Sequence, residues 1–314
     1  EVQLSEAQSV SSVVQVEPAS ANLVAVKPKV TQNTVLAAIL GFIVATIIVF
    51  VHEAMDDTVK TPDEISKNFN LPVLGVINRF DAHKSTLITV NEPRSPTAEA
   101  YRTLRTNVSY TSVDKPLRTL MVTSTESGEG KTTTICNLGV VLAQNGYKVT
   151  IADCDLRHPK LHTYFGMPNR AGISTLFAHP AEIPNGAQQT TRVKNLSLLT
   201  TGQLPPNPAE LLGSKKMQNI LLGLCQMNDL VLIDVPPVLA VTDAAVLAPS
   251  IDGVILVVRP GKTRTFALRQ TIAQLHQVNS TILGVVMNDV DMRGHLYSQQ
   301  YKYYRDYSAY QSYY

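Results

Sequence analysis

Residues 123–134 constrain this chain more than any other stretch. They read Thr-Ser-Thr-Glu-Ser-Gly-Glu-Gly-Lys-Thr-Thr-Thr, after apolar 120–122 and before a helical pattern at 135–142. Gly128 and Gly130 allow torsions and a close backbone approach that a Cβ would forbid. Successive N–H groups at the start of a helix form a cradle for phosphate. Lys131 is placed to reach the β- and γ-phosphates, and Thr132 to offer a hydroxyl to Mg²⁺. Gly128, Glu129, Gly130, Lys131, Thr132 and Thr133 therefore read as an ATP-binding Walker A loop, with Thr125 where its first glycine usually stands.

Such a loop needs carboxylates for its metal. The apolar run 231–233 ends in Asp234 and is stopped by Pro236 and Pro237, a Walker B pattern. Asp234 is expected to hold Mg²⁺ directly or through water. A second strand, 149–153, ends in Asp153 and Asp155, whose alternation puts both on one face. Two acids there suggest one metal ligand and one proton acceptor. Arg157 reads equally as a phosphate contact and as a structural ion-pair partner, and Lys160 as surface.

From residue 117 onward, strand and helix patterns alternate. Strands are expected at 119–123, 148–153, 196–200, 230–234, 253–258 and 282–287, and helices notably at 131–145, 214–227 and 263–278. Continuous apolar strands of this kind are buried on both faces. The fold class is α/β: a doubly wound, mostly parallel P-loop sheet with ligands at the carboxyl ends of its strands. Asn288, just past the last strand, is the candidate adenine contact.

Residues 34–51 are an uncharged, apolar run with no polar face. At about 1.5 Å per residue this approaches the roughly 30 Å of a bilayer core, so a transmembrane helix is expected. Lys27 and Lys29 before it and Lys60 and Lys67 after it leave orientation undecided; the ATP loop places the C-terminal side in the cytoplasm. Residues 1–33 read as an extracytoplasmic arm with a short strand at 13–16, and 52–91 as a cytosolic segment and linker. Within it, Thr61 and Pro62 open a helix, 71–77 is a candidate edge strand, and 80–91 is linker. The chain opens on Glu1 rather than Met, as a fragment or processed chain would, and shows no signal peptide. Ser95-Pro96 opens another helix, along which Glu99, Arg102 and Arg105 share one stripe. That stripe is either a solvated face or an interface.

The formal net charge is +2, which offers no basic field for nucleic acid. Cys136, Cys154 and Cys225 lack metal-ligand spacing and read as small buried thiols of a reducing compartment. Of 12 tyrosines, eight crowd the end of the chain: Tyr297, Tyr301, Tyr303, Tyr304, Tyr307, Tyr310, Tyr313 and Tyr314. Residues 291–314 are too poor in aliphatic side chains to build a core. Beside an ATP site, this tail reads as a phosphoacceptor. Eight phosphates would add roughly −12 to −16 charges.

These motifs together resemble the bacterial tyrosine kinases of capsule and exopolysaccharide export. They include the loop at 125–132, the carboxylates Asp153, Asp155 and Asp234, the Glu99–Arg102–Arg105 helix and the tyrosine cluster. The 207–212 stretch, Asn-Pro-Ala-Glu-Leu-Leu, also fits. The resemblance spans about 15–314, with the kinase domain at 92–290. It implies that Asp153 takes the acceptor tyrosine's proton, while Thr132, Asp155 and Asp234 arrange Mg²⁺. It implies a homo-oligomeric ring joined through Glu99, Arg102 and Arg105, in which each tail is phosphorylated in trans. The partners it implies are the polysaccharide export and polymerisation machinery and a cognate tyrosine phosphatase, and the location is the bacterial cell membrane. Residues 34–51 resemble the second transmembrane helix of the chain-length regulator that activates the kinase; the family's first transmembrane helix and external domain are not in this sequence. Two rivals stand beside this reading. Min- or Par-type partitioning ATPases carry a second lysine at the position of Glu126. A non-enzymatic polysaccharide scaffold would not require Lys131, Asp153 and Asp234.

Overall fold

The computed structural model describes residues 27–81, 86–111, 116–178 and 187–291. The expected strand at 13–16 and the tyrosine tail lie outside them. The chain divides into two compact units, 1–56 and 57–314.

The first unit contains helix α1 (Val30–Met55), longer at both ends than the expected 34–51. Its Thr34 and Thr46 hydroxyls each donate to a carbonyl four residues back, at 2.8 Å, so the polar groups within the apolar run are satisfied internally. Among the described residues it is the one helix long and apolar enough to cross a membrane.

The second unit is built on eight strands: β1 (Val73–Asn78), β2 (Thr119–Ser124), β3 (Val149–Asp153), β4 (Gln188–Thr190), β5 (Leu196–Leu199), β6 (Leu230–Asp234), β7 (Gly253–Val258) and β8 (Ile282–Val290). Their order is β1-β8-β7-β2-β6-β3-β5-β4. All neighbours are parallel except β4, which runs against β5. Residues of β2, β6 and β7 are buried throughout, as a parallel sheet covered on both faces requires. Alternate residues of β2 feed opposite cores: Met121 joins Ile233 and Leu256, whereas Leu120 and Val122 join Leu232 and Ile255.

Among the described residues, ten further α-helices surround and connect the strands: α2 (Pro62–Phe69), α3 (Ile88–Asn91), α4 (Pro96–Tyr110), α5 (Lys131–Gln144), α6 (Leu161–Phe165), α7 (Ile173–Ala178), α8 (Pro208–Leu212), α9 (Lys215–Met227), α10 (Asp243–Leu247) and α11 (Thr265–Gln277). Helix α2 starts with a capping box. Thr61 Oγ1 accepts from the Glu64 amide, and the Glu64 carboxylate accepts from the Thr61 amide. Helix α4 is capped by Ser95, whose Oγ accepts from the Ala98 amide at 3.1 Å. It buries Ala98, Tyr101, Leu104 and Val108 at helical spacing, and Leu104 packs where Gly75 of β1 lacks a Cβ.

Two expectations need amendment. Residues 80–91 are not all linker: α3 buries Ile88 and Thr89, and the Asn137 side chain from α5 accepts from both the amide and the hydroxyl of Thr89. Of the three thiols, Cys136 and Cys154 are buried but Cys225 is partly exposed.

Candidate nucleotide and phosphotransfer site

The loop between β2 and α5 has the geometry of an anion cradle. Gly128 and Gly130 adopt φ of +79° and +96°, the left-handed region that other residues avoid. A Cβ on Gly130 would lie 1.9 Å from Asn288 Nδ2, so any other residue is strained there and must displace the Asn288 side chain. Gly130 is also the N-cap of α5 and has no side chain to cap it, leaving the first-turn N–H groups for a ligand. Asn288 secures this conformation by donating to the Glu129 carbonyl at 3.0 Å.

Glu129 is the loop's internal brace. Its carboxylate is 1% exposed, accepts from the Glu126 amide at 2.9 Å, and also accepts from the Thr263 hydroxyl. Burial raises its pKa above the ordinary carboxylate value. The loop after β7 is thereby clamped to the phosphate loop, with Lys262 Nζ donating to the Ser127 carbonyl at 2.7 Å as a second tie. On its other side the same loop is strapped by residues 57–59. Val59 N–H donates to the Thr263 carbonyl at 2.9 Å, and Thr265 N–H to the Asp57 carbonyl at 2.7 Å.

Three strand-end carboxylates gather beside the loop. Asp153 and Asp234 are register neighbours on adjacent strands. Lys131 Nζ donates to Asp155 Oδ2 at 2.9 Å and to Asp234 Oδ1 at 3.3 Å, and Thr132 Oγ1 donates to Asp234 Oδ2 at 2.8 Å. Burial alone would depress the lysine's pKa, but the Asp234 and Asp155 charges overcome it and raise it. Asp153 is fully buried; its Oδ2 accepts from the Leu161 amide at 3.1 Å, while Oδ1 has no hydrogen-bond partner among the described residues. Burial, followed by the Asp234 charge, holds the Asp153 pKa well above the usual range.

Two clefts meet at the loop. One, of about 490 Å³, is lined by Arg79, Phe80, Arg259, Asn288 and Asp289 together with Gly128, Glu129, Gly130 and Thr133. Arg79 and Arg259 both pair with Asp289. The other, of about 580 Å³, includes Lys131, Thr132, Asp155, Arg157, Lys160 and Tyr164. Asp155 lines this second cleft; Asp153 lines neither.

The sequence-expected loop residues, the three aspartates and Asn288 therefore converge. Arg157 pairs with Asp243 through two 2.9 Å bonds, resolving its reading in favour of the ion pair. Glu99, Arg102 and Arg105 lie on α4, outside both clefts. Arg102 pairs with Glu99 at 2.6 Å and donates to the Pro93 carbonyl at 2.5 Å. The eight tail tyrosines lie outside the described residues. Thr263, Arg259, Arg79 and Tyr164 were not anticipated. Tyr164, whose hydroxyl lies 2.9 Å from Thr133 Oγ1, is invisible to motif reading because its partner is 31 residues away.

Sheet order, loop and strand-end aspartates define a nucleotide-binding domain of the P-loop class, and residues 120–308 match the CobQ/CobB/MinD/ParA nucleotide binding domain family. Similarity to known proteins is more specific. The chain is 40% identical over 227 residues to the tyrosine-protein kinase YwqD of Bacillus subtilis, covering 72% of this chain and 94% of that one. It is 30% identical over 319 residues to the tyrosine-protein kinase Wzc of Salmonella typhi, covering 97% of this chain but 44% of that longer relative. Among solved structures, the kinase domain of the Escherichia coli tyrosine kinase Etk superposes with a TM-score of 0.71 at 30% identity, covering 75% of this chain and 96% of that one. The chimerical protein CapA2B2 gives 0.69 at 33%, covering 74% and 100%. The chain belongs to the bacterial tyrosine-protein kinases. It is a protein-tyrosine kinase that uses ATP through its P-loop, and the partitioning ATPase and scaffold readings fall away.

Proposed function

We propose that this kinase is a membrane-anchored autokinase that transfers the γ-phosphoryl group of ATP to the tail tyrosines of a neighbouring copy, within a polysaccharide export system. The observation that carries it is the Lys131–Asp155–Asp234 cluster opening onto a cleft, in a chain that ends in eight tyrosines.

The loop amides and Lys131 bind the phosphates, and the cleft of Arg79, Phe80 and Asn288 receives the base and sugar. The residues present fit a divalent cation. A lysine ammonium already lies between Asp155 and Asp234, and Asp153 Oδ1 is buried without a partner among the described residues. Mg²⁺ is held by one or two carboxylates and keeps waters and phosphate oxygens as its other ligands, so Asp155 and Asp234 are enough on the protein side. Thr132, Asp155 and Asp234 would hold it, and when bound it supplies charge neutralisation on the phosphates. The tyrosine hydroxyl attacks phosphorus, its proton passes to a carboxylate, and the bond to the β-phosphate oxygen breaks to release ADP. A raised pKa makes Asp153 a stronger base than an ordinary carboxylate. Asp155 is the second candidate, because it lines the cleft while Asp153 is sealed in.

Unphosphorylated subunits assemble through Glu99, Arg102 and Arg105, and the charge of the modified tail opens the assembly. Helix α1 anchors the chain, with the kinase unit in the cytoplasm. Incubating the full chain with ATP and Mg²⁺ and mapping phosphotyrosine tests the reading. Phosphate on the tail is expected, with at least a ~10²-fold loss in Lys131→Met. An unmodified tail from protein that binds ATP would overturn it.

A further inference from the structure

The second cleft carries charge that the phosphotransfer site does not use. On its rim stand Arg157, His158 and Lys160, and all three are exposed. Arg157 is held in place through Nε and Nη2 by Asp243, leaving Nη1 without a partner among the described residues. The His158 ring and the Lys160 ammonium make no hydrogen bond or ion pair among the described residues; of His158 only the backbone amide is engaged, by Asp155. Pro236, Pro237, Ala240 and Val241 form an apolar stretch of the cleft wall. The one carboxylate in the described lining, Asp155, pairs with Lys131 and does not offset the rim.

An acceptor tyrosine in this cleft would account for the apolar stretch of its wall and for Asp155. It does not explain the basic rim. The tail offers that rim almost nothing: between 296 and 314 its charged residues are Lys302, Arg305 and Asp306. A matching anion appears once a first tyrosine has been modified, because a phosphotyrosine brings about −1.5 to −2 charges and three acceptor oxygens. Tail tyrosines recur at spacings of one to four residues. A phosphate three residues from the acceptor is within about 10 Å of extended chain, within reach of the rim when the acceptor is in the cleft.

We propose that Arg157, His158 and Lys160 form a phosphotyrosine subsite beside the acceptor position, so that a tail already carrying one phosphate is the preferred substrate for the next transfer. This rests on the tail being the acceptor. It makes modification of a tail self-reinforcing: few tails become heavily phosphorylated rather than all becoming lightly so. Arg157 supplies a planar, pre-oriented donor, and Lys160 a mobile charge.

The test uses the full chain with its eight tail tyrosines changed to Phe, so that only added peptide accepts. Three peptides of sequence 296–314 keep Tyr304 as the sole unmodified acceptor. Position 301 is Tyr-phosphate in the first, Phe in the second and Glu in the third, and the remaining tyrosines are Phe. With contacts of this kind worth up to about 1 kcal/mol each at an exposed site, kcat/KM for the phosphopeptide should exceed that for the Phe peptide by roughly five-fold or more. The Glu peptide should fall between them. His158→Ala/Lys160→Ala, which leaves Arg157 in place, should remove most of the phosphopeptide's advantage over the Phe peptide without slowing transfer to the latter. Equal use of the first two peptides by the parent chain overturns the subsite, as does a preference left undiminished by the double substitution. Transfer to none of the three would instead count against the tail as acceptor.

Discussion

The Thr263 hydroxyl donates a hydrogen bond to the buried carboxylate of Glu129, joining the loop after β7 to the phosphate loop across 134 positions of sequence. Thr263 is itself fully buried, and its Oγ1 accepts from the Arg259 amide at 2.8 Å. The phosphate loop is thus held from outside its own segment.

Thr263→Val keeps the volume and removes both bonds. Leaving a buried carboxylate short of a donor costs about 1–3 kcal/mol. Denaturant unfolding should show that loss, ATP affinity should weaken several-fold, and Thr263→Ser should restore most of both. Unchanged ATP affinity in Thr263→Val would show that the clamp does not shape the loop.

Gly130→Ala tests the cradle directly. A left-handed φ at a residue with a Cβ is strained by about 1–3 kcal/mol, and here the added carbon also strikes Asn288. The variant should fold with lowered stability and lose at least ten-fold in nucleotide affinity by calorimetry. Gly146, which has φ of +97° and nothing near its missing Cβ, is the control: Gly146→Ala carries backbone strain alone and should leave affinity unchanged.

Asp153 ties pH to stability. Its folded pKa is raised by burial and by the Asp234 charge, so above an unfolded pKa of about 3.9 the folded state retains a proton that the unfolded state has released. Stability conferred by that group therefore falls as pH rises from about 4 towards the folded value. Nucleotide-free Asp153→Asn should melt higher than the parent at pH 8, with the advantage shrinking as pH is lowered towards 4. Transfer should drop by about 10²–10⁴ if Asp153 is the base. The same comparison with Asp155→Asn decides between the two carboxylates.

The α4 stripe predicts assembly. Glu99 and Arg102 already satisfy one another, whereas the Arg105 guanidinium has no partner among the described residues. Exposed pairs contribute about 0.2–1 kcal/mol each, so a single substitution shifts association by at most about five-fold. Replacing all three by Ala should convert an unphosphorylated oligomer to a smaller species by light scattering. An unchanged mass would remove the stripe from the interface.

What could be read from the residues follows from how far each signal travels along the chain. Strands such as β2 and β6 announce themselves because burial on both faces demands an unbroken apolar run, and the phosphate loop does so because its glycines and lysine are contiguous. Strand β4 was not anticipated: Gln188 to Thr190 is short and polar, and it is a strand only because β5 offers an edge. Helix α3 was hidden for a related reason, since Thr89 is buried by Asn137, 48 residues away. The same holds within the site. Asp153, Asp155 and Asp234 stand at the ends of recognisable strands, but Thr263 looks like any turn threonine until the fold brings it to Glu129.

Strand β2 stands fourth of eight in the sheet, paired in parallel on both sides, and the catalytic loop hangs from its end. Amide hydrogens along such a strand exchange with solvent only when the whole domain opens, whereas those of an edge strand like β4 exchange by fraying. The reacting groups are thereby mounted on the last part of the molecule to loosen. Faster or slower turnover can then be set by ties at the rim, such as Thr263 or Lys262, at little expense to the fold.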